Sequence, residues 1–325
     1  MRILVTGGAG YVGSVLVPLL ADHGYEVDVV DLLWFKNHLP ADIRVRQADL
    51  FDCTVDDFAG YDQVIFLAGL SNDPMAEFSP SMNFVYNGAL PSYLAYSAKK
   101  AGVKRFIYAS SCSVYGYTVN QLYDENSPVT CAYPYGISKL QGERGVLQLQ
   151  DENFSTIALR QGTVCGYSPR MRFDLIVNTM FKSAMSDGVI TINNASIWRP
   201  ILDVRDTSTG FLRAVQADPS ISGVFNVAYD NFTVGQIGDM VKDAVESVTG
   251  RRIKIVIKNV QDFRNYKVTC ERAKMMLGFL PKHSVADVIR SLHDHLDEYD
   301  DFGREDFYNI RVFQQRFPQR LRVAA

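Results

Sequence analysis

Tyr135 and Lys139 stand four positions apart in the run Tyr135-Gly136-Ile137-Ser138-Lys139. On a helix, positions i and i+4 share a face, so the phenol and the ammonium project together. A tyrosine hydroxyl titrates near pKa about 10, and a neighbouring cation lowers that value by stabilising phenolate. A phenolate so placed can take a proton from a substrate hydroxyl while hydride leaves the same carbon. The same spacing also suits an ordinary surface helix, so the surroundings decide its weight. Upstream, an apolar run ends in Tyr108-Ala109-Ser110-Ser111-Cys112-Ser113-Val114-Tyr115-Gly116. If that run is a strand, a serine hydroxyl at its C-terminal edge can hydrogen-bond the reacting oxygen, at the edge where α/β sheets bind ligands.

Hydride needs an acceptor, and the N-terminus offers a place for one. Val5-Thr6-Gly7-Gly8-Ala9-Gly10-Tyr11-Val12-Gly13 follows a short apolar run and opens a helical pattern. A dinucleotide pyrophosphate requires close backbone approach, which Cβ atoms at Gly7, Gly10 and Gly13 would block, and it gains from the amides and dipole of a helix N-terminus. The spacing is G-x-x-G-x-x-G. The next β-rich run closes on Asp31, followed by Leu32, Leu33 and Trp34. A carboxylate there accepts both adenosine-ribose hydroxyls and repels a 2′-phosphate, so NAD is expected over NADP. Asp49-Leu50 either contacts the adenine or, through Asp49, caps the following turn.

These residues need a scaffold that brings strand ends together. Short β-rich runs occur at Arg2–Thr6, Glu26–Asp31, Ile43–Gln47, Gln63–Leu67, Arg105–Ala109 and Thr156–Arg160, with helical stretches at about 11–23, 83–101 and 135–151 between them. Strands alternating with helices imply a parallel, doubly wound, Rossmann-like α/β sheet, and the runs are apolar because both faces are covered. Pro18 sits inside the first helix, where it deletes a hydrogen bond and is expected to bend the axis. From about 166 the rhythm changes: a turn at Gly166-Tyr167-Ser168-Pro169, an amphipathic helix near 173–187, a strand near 189–193 and scattered αβ pieces to about 297. The expected division is a cofactor domain over 1–165, with elements returning to it around 200–230, and a smaller α/β substrate-binding domain with a C-terminal tail over 166–325. Asp294, Asp297, Glu298, Asp300, Asp301, Glu305 and Asp306, followed by Arg311, Arg316, Arg320 and Arg322, read as a solvated terminal helix with a frayed tail.

The 325 residues carry a net charge of -3 with both signs mixed, which gives no support to a nucleic-acid or anionic-membrane partner. Five cysteines at wide spacing, without C-x-x-C, imply neither a disulfide framework nor a zinc site, and no metal is expected. There is no signal-peptide pattern and no apolar run long enough to span a bilayer, so a cytoplasmic location is expected.

Together these segments resemble the extended short-chain dehydrogenase/reductases that act on nucleotide sugars, the group that includes UDP-galactose 4-epimerase. The resemblance runs from Arg2 to about Pro281. It is carried by TGGAGYVG, the strand end at Asp31, DLFD, FLAGLSNDP, NGALPSYLAYSAKKAGVKRFIYASSCSVYG, YPYGISKLQGE, LRQGTVCGYSP, WRPILDVRD and GVFNVAY. It implies that Ser111 is the catalytic hydroxyl, Tyr135 the general acid/base and Lys139 its partner. Leu67, Ala68 and Gly69 would pass under the cofactor. Arg199 and Arg264 would bind the substrate diphosphate, as guanidinium forks suit phosphate. Asn178 would join them, with Ser71, Ser113 and Thr163 also facing substrate. A homodimer is implied, built on the helices near 83–101 and 135–150, with Leu90, Leu94, Leu140, Val146 and Leu147 offering apolar residues for the shared face.

The chain also departs from that group. Sugar 4,6-dehydratases carry an acid just after the catalytic hydroxyl. Here Cys112 and Ser113 stand there, so dehydration is not expected, and Cys112 reads as a core residue. Thr163 replaces the Asn that precedes V-Y-G-P, Phe66 replaces a frequent His, and Val85 stands where an Asn is expected ahead of Gly88. The expected function is NAD-dependent epimerisation of a nucleotide-diphosphate sugar through a transient 4-keto intermediate. The alternatives are net oxidation or reduction at C4, or an NAD(H)-binding sensor without turnover.

Overall fold

The computed structural model describes residues 1–260, 264–299 and 301–318. Asp300, Arg320 and Arg322 of the terminal charge run lie outside the described residues. The centre is a seven-stranded sheet in the order Gly223–Val227, Ser155–Gln161, Arg105–Ser111, Gln63–Phe66, Arg2–Thr6, Glu26–Asp31 and Arg44–Gln47. Every neighbouring pair is parallel. The strands match the apolar runs to within one or two residues. The edge strand Gly223–Val227 returns from late in the chain.

Alternation along each strand feeds two cores. Ile3, Val5, Ile65, Ile107 and Ile157 face one side and pack with Leu16, Val17 and Leu20 of the helix Gly13–Asp22 and with Phe211 and Val215 of the helix Val204–Gln216. Leu4, Val64, Phe66, Phe106 and Tyr108 face the other side and pack with Leu90, Leu94 and Ala98 of the helix Leu90–Lys100 and Val146 of the helix Pro134–Leu147. Period two along the strand puts successive side chains on opposite faces, and both faces must be covered in a parallel sheet. The first helix runs unbroken through Pro18.

The helix expected over 83–101 is more complex. Pro80–Phe84 is α-helical, Val85–Ala89 forms a π-helical turn, and Leu90–Lys100 resumes the α-helix. This bears on the apolar residues proposed for a dimer face. Leu90, Leu94 and Val146 are fully buried within the chain and are unavailable to a partner, while Phe84, Tyr93 and Tyr96 are about half exposed and Ile137 is also exposed. The sheet takes the aliphatic stripe and leaves the aromatic one outside.

The remaining residues form a second apolar core of Phe173, Val177, Phe181, Ile190, Ile192, Ile237, Val241, Val288, Ile289 and Leu292. Around it lie a three-stranded sheet of Asp230–Thr233, Trp198–Asp203 and Thr163–Cys165 and a parallel pair of Lys254–Ile257 with Val189–Ile192. The C-terminal segment is not a solvated appendage. Its helix Asn309–Arg316 buries Phe313 completely against Leu70 and Met75, and Trp34 and Phe317 pack on the same cluster. The acids spread over this segment are a polar face, and the aromatic residues between them provide the anchor. No described helix is long and apolar enough to cross a membrane.

Candidate active site

The strand order reverses between Arg2–Thr6 and Gln63–Phe66, since the chain fills one side of the first strand before crossing to the other. Doubly wound sheets open a crevice at such a reversal, beyond the strand C-termini. A cavity of about 930 Å³ lies there.

Gly7, Gly10, Tyr11, Val12 and Gly13 line one end of it. Gly7 has φ +76°, and a Cβ there would stand 2.5 Å from the Ala68 amide nitrogen. The glycine loop therefore abuts the Leu67-Ala68-Gly69 segment, which also lines the cavity. The Asp31 carboxylate is anchored by the Ala9 and Leu33 amides, at 3.1 and 2.8 Å. Burial pushes this carboxyl above its ordinary value, and the two amides oppose the shift. Its spare lone pairs suit a ribose diol. Asp49 caps a short 3₁₀ turn through the Phe51 amide at 3.0 Å and lines the cavity with Leu50. This end of the cavity fits the adenosine half of a dinucleotide.

The other end holds the chemistry. Tyr135 and Lys139 lie in the first turns of Pro134–Leu147, beside Ser111 at the end of its strand. Burial drives the Tyr135 phenol well above its ordinary value, the charge of Asp73 adds to this, and a hydrogen bond with Ser111 opposes it. The Ser113 hydroxyl donates to the Ser111 oxygen at 2.9 Å. Lys139 lies on the Tyr135 side of the helix and takes a backbone acceptor there. Its ammonium donates to the Ala109 carbonyl at 2.9 Å and lies 5.9 Å from the Tyr135 ring centre. Burial lowers it to about 8. Cys112 is a core residue, with Sγ 3.1 Å from the Arg160 carbonyl and its thiol pushed up by burial.

Two buried groups hold these residues and take no role in the sequence reading. Glu143, one turn beyond Lys139, meets Arg160 at 2.6 and 2.9 Å and accepts from Ser110 at 2.6 Å, which seats the helix against two strands. Asn87, fully buried, accepts from the Leu70 amide at 2.9 Å and donates to the Leu70 carbonyl at 2.8 Å. A Cβ on Gly69, which has φ +131°, would stand 2.2 Å from the Asn87 amide oxygen. Asn87, not position 85, therefore holds the Gly69-Leu70 segment that lines the cavity. The π turn inserts an extra residue and shifts the face count. An asparagine beside a glycine within a helical run was the available signal, since both residues weaken a helix.

Ser71, Thr163, Arg199 and Arg264 all line the cavity. Arg264 pairs with Asp73 at 2.7 Å, and Arg199 donates to the Trp198 carbonyl at 2.9 Å. Asn178 does not belong with them. Its amide is spent on the Gly166 amide and carbonyl and the Arg172 carbonyl, at 2.9, 3.0 and 2.8 Å, and it stands behind the cavity wall. Its part is to shape the 166–172 loop. Tyr11 ties the same loop to the glycine turn, donating to the Gly166 carbonyl at 2.6 Å. That loop carries two residues absent from the motif reading, Arg170 and Arg172, both buried and both lining the cavity.

A glycine loop, an anchored Asp31, and Ser111, Tyr135 and Lys139 in one crevice agree with what known proteins show. Residues 3–228 match the NAD dependent epimerase/dehydratase family. The chain belongs to that family. Its cofactor is NAD, which the carboxylate at the second strand end and the open glycine turn accommodate. It is 26% identical to the UDP-glucose 4-epimerase of Bacillus subtilis over 322 residues, which cover 89% of this chain and 94% of that protein. Among solved structures, UDP-glucose 4-epimerase from Thermotoga maritima with UDP-glucose superposes at TM-score 0.82, with 25% identity over 93% of this chain and 100% of the other. MoeE5 in complex with UDP-glucuronic acid and NAD gives 0.79, with 25% identity over 90% of this chain and 97% of the other.

Proposed function

We propose that this enzyme inverts C4 of a nucleoside-diphosphate sugar through a transient 4-keto sugar, without net redox. The reading rests above all on Ser111, Tyr135 and the buried Lys139 lining one dinucleotide crevice together. Relatives named as UDP-glucose 4-epimerases along nearly the whole chain support it. NAD, held by the glycine turn and Asp31, would supply the hydride acceptor and donor that inversion at C4 needs.

Tyr135 accepts the proton of the 4-hydroxyl as C4 is oxidised and gives it back on reduction. Ser111 holds the reacting oxygen, with Ser113 orienting the Ser111 hydroxyl. Lys139, a donor to the Ala109 carbonyl, presents its charge beside the phenol and stabilises phenolate. Arg199 and Arg264 grip the diphosphate from the far side of the cavity, and Ser71 and Thr163 bound the sugar space. Cys112 and Ser113 supply no acid at the position needed to eliminate water, so the reaction stops at inversion. In this reading residues 1–165, completed by the helix and strand returning between 204 and 227, carry the cofactor, and the later residues carry the sugar nucleotide. The enzyme works in the cytoplasm on carbohydrate precursors, as a homodimer whose shared face is formed by Phe84, Tyr93, Tyr96 and Ile137.

The test is incubation with UDP-, GDP-, dTDP- and CDP-sugars followed by NMR. The expected result is a C4-inverted sugar with no accumulation of NADH. Stoichiometric NADH with a 4-keto product would replace epimerisation by net oxidation.

A further inference from the structure

Arg170 is 2% exposed, and its Nε has no hydrogen-bond partner among the described residues. Native proteins seldom leave a buried donor unpaired, and a buried guanidinium without a counter-charge is costly. The carboxylates nearby make their hydrogen bonds to other groups, although the charge of Arg170 is felt at Asp31. Asp174 meets Arg172 at 2.8 and 3.1 Å, Asp306 meets Arg304 at 2.7 Å, and Asp31 is held by backbone amides. Burial and the charge of Arg172 lower the Arg170 guanidinium to about 9, which Asp174 and Asp306 offset only in part.

The position of this cation suggests what it awaits. Its guanidinium lies 3.6 Å from the centre of the Phe35 ring, four residues past Asp31, and lines the cavity with Asp31, Trp34 and Phe35. Asn309, from the first turn of the C-terminal helix, accepts from Arg170 Nη2, donates from Nδ2 to the Ser71 hydroxyl at 2.6 Å and binds Asp174 through its backbone amide at 3.3 Å. Phe313, one turn on, anchors that helix against Leu70 and Met75. Arg170 is therefore held in one orientation by a ring on one side and a carboxamide on the other, at the adenosine end of the crevice.

We propose that Arg170 binds a phosphate oxygen in the ADP half of the dinucleotide, and that Asn309 of the C-terminal helix is the residue that positions it. This rests on the assignment of the cavity to NAD. A phosphate supplies the acceptor that Arg170 Nε lacks together with a negative charge in contact with it, and a planar guanidinium suits phosphate. The carboxamide of Asn309 orients the cation without neutralising it, so the charge remains available to the ligand. The C-terminal segment thereby becomes part of the cofactor site.

The experiment measures binding of ADP, adenosine and NAD to cofactor-stripped protein by titration, with thermal unfolding alongside. Arg170→Met should weaken ADP and NAD about ten- to hundredfold, the effect of losing a charge-assisted hydrogen bond, and leave adenosine unchanged. The cofactor-free variant should melt no lower than wild type, because a buried unpaired cation has been removed. Asn309→Asp is the second variant. It gives Arg170 a carboxylate partner, so it should weaken ADP about tenfold while leaving adenosine binding as tight. Equal losses for ADP and adenosine, or no loss in either variant, would overturn the proposal. If wild-type protein binds ADP but not NAD, the cofactor assignment itself fails, which is a separate outcome.

Discussion

Glu143 and Arg160 form a buried two-point ion pair, at 2.6 and 2.9 Å, that ties the helix presenting Tyr135 and Lys139 to the strand Ser155–Gln161. Both residues are under 5% exposed. Ser110 and the Tyr115 hydroxyl complete the network at 2.6 and 2.8 Å. Removing one partner of such a pair strands a charge. Glu143→Ala is therefore expected to lower stability by about 3–5 kcal/mol, and Glu143→Gln by less because it still accepts from Arg160. Urea unfolding measures both. Equal, small losses would mean that the pair does not seat this helix.

Tyr135→Phe removes one hydroxyl and should leave the fold intact. Turnover should fall by about 10²–10⁴, the contribution of a positioned acid/base, and Ser111→Ala should be milder. Burial holds the Tyr135 phenol protonated at neutral pH, so wild-type turnover should rise with pH and the variant should lose that rise. Single-turnover reduction of bound NAD by substrate is the measurement. Reduction by Tyr135→Phe at the wild-type rate would refute the mechanism.

Lys139 carries a pH signature of its own, because burial lowers its ammonium to about 8. An unfolded lysine keeps its proton to about 10.4. Between those values the unfolded chain binds more protons than the folded one, so stability at this site is lowest below about pH 8 and rises with pH through that window. In urea unfolding of cofactor-free protein, Lys139→Met should gain most over wild type below about pH 8 and lose that advantage toward about pH 10. A difference independent of pH would count against a buried, destabilised ammonium.

Asn87→Ala deletes the partner of the Leu70 amide and carbonyl. Leaving such groups buried and unpaired should cost about 1–3 kcal/mol and loosen the Gly69 turn that lines the cavity. Weaker NAD binding by calorimetry, with the affinity of Asn87→Asp between the two, is the expected pattern. Unchanged NAD affinity would confine Asn87 to a packing role.

What the sequence determined on its own was local. Strands such as Arg2–Thr6 and Glu26–Asp31 announce themselves through apolar runs, and the glycine loop, Asp31 and Y-x-x-x-K carry their chemistry within a few residues, because period and spacing along the backbone dictate which groups share a face. What only the tertiary structure decided depends on groups far apart in the chain. Arg170 and Asn309 meet across 139 positions, and Ser71 and Asn309 across 238. Burial selects which of several similar side chains does which task. It places Asn178 behind the cavity wall, turns Leu90 and Leu94 inward, and moves the bracing asparagine to position 87 through one π turn. It also gives the Lys139 ammonium the Ala109 carbonyl, because a desolvated cation needs an acceptor.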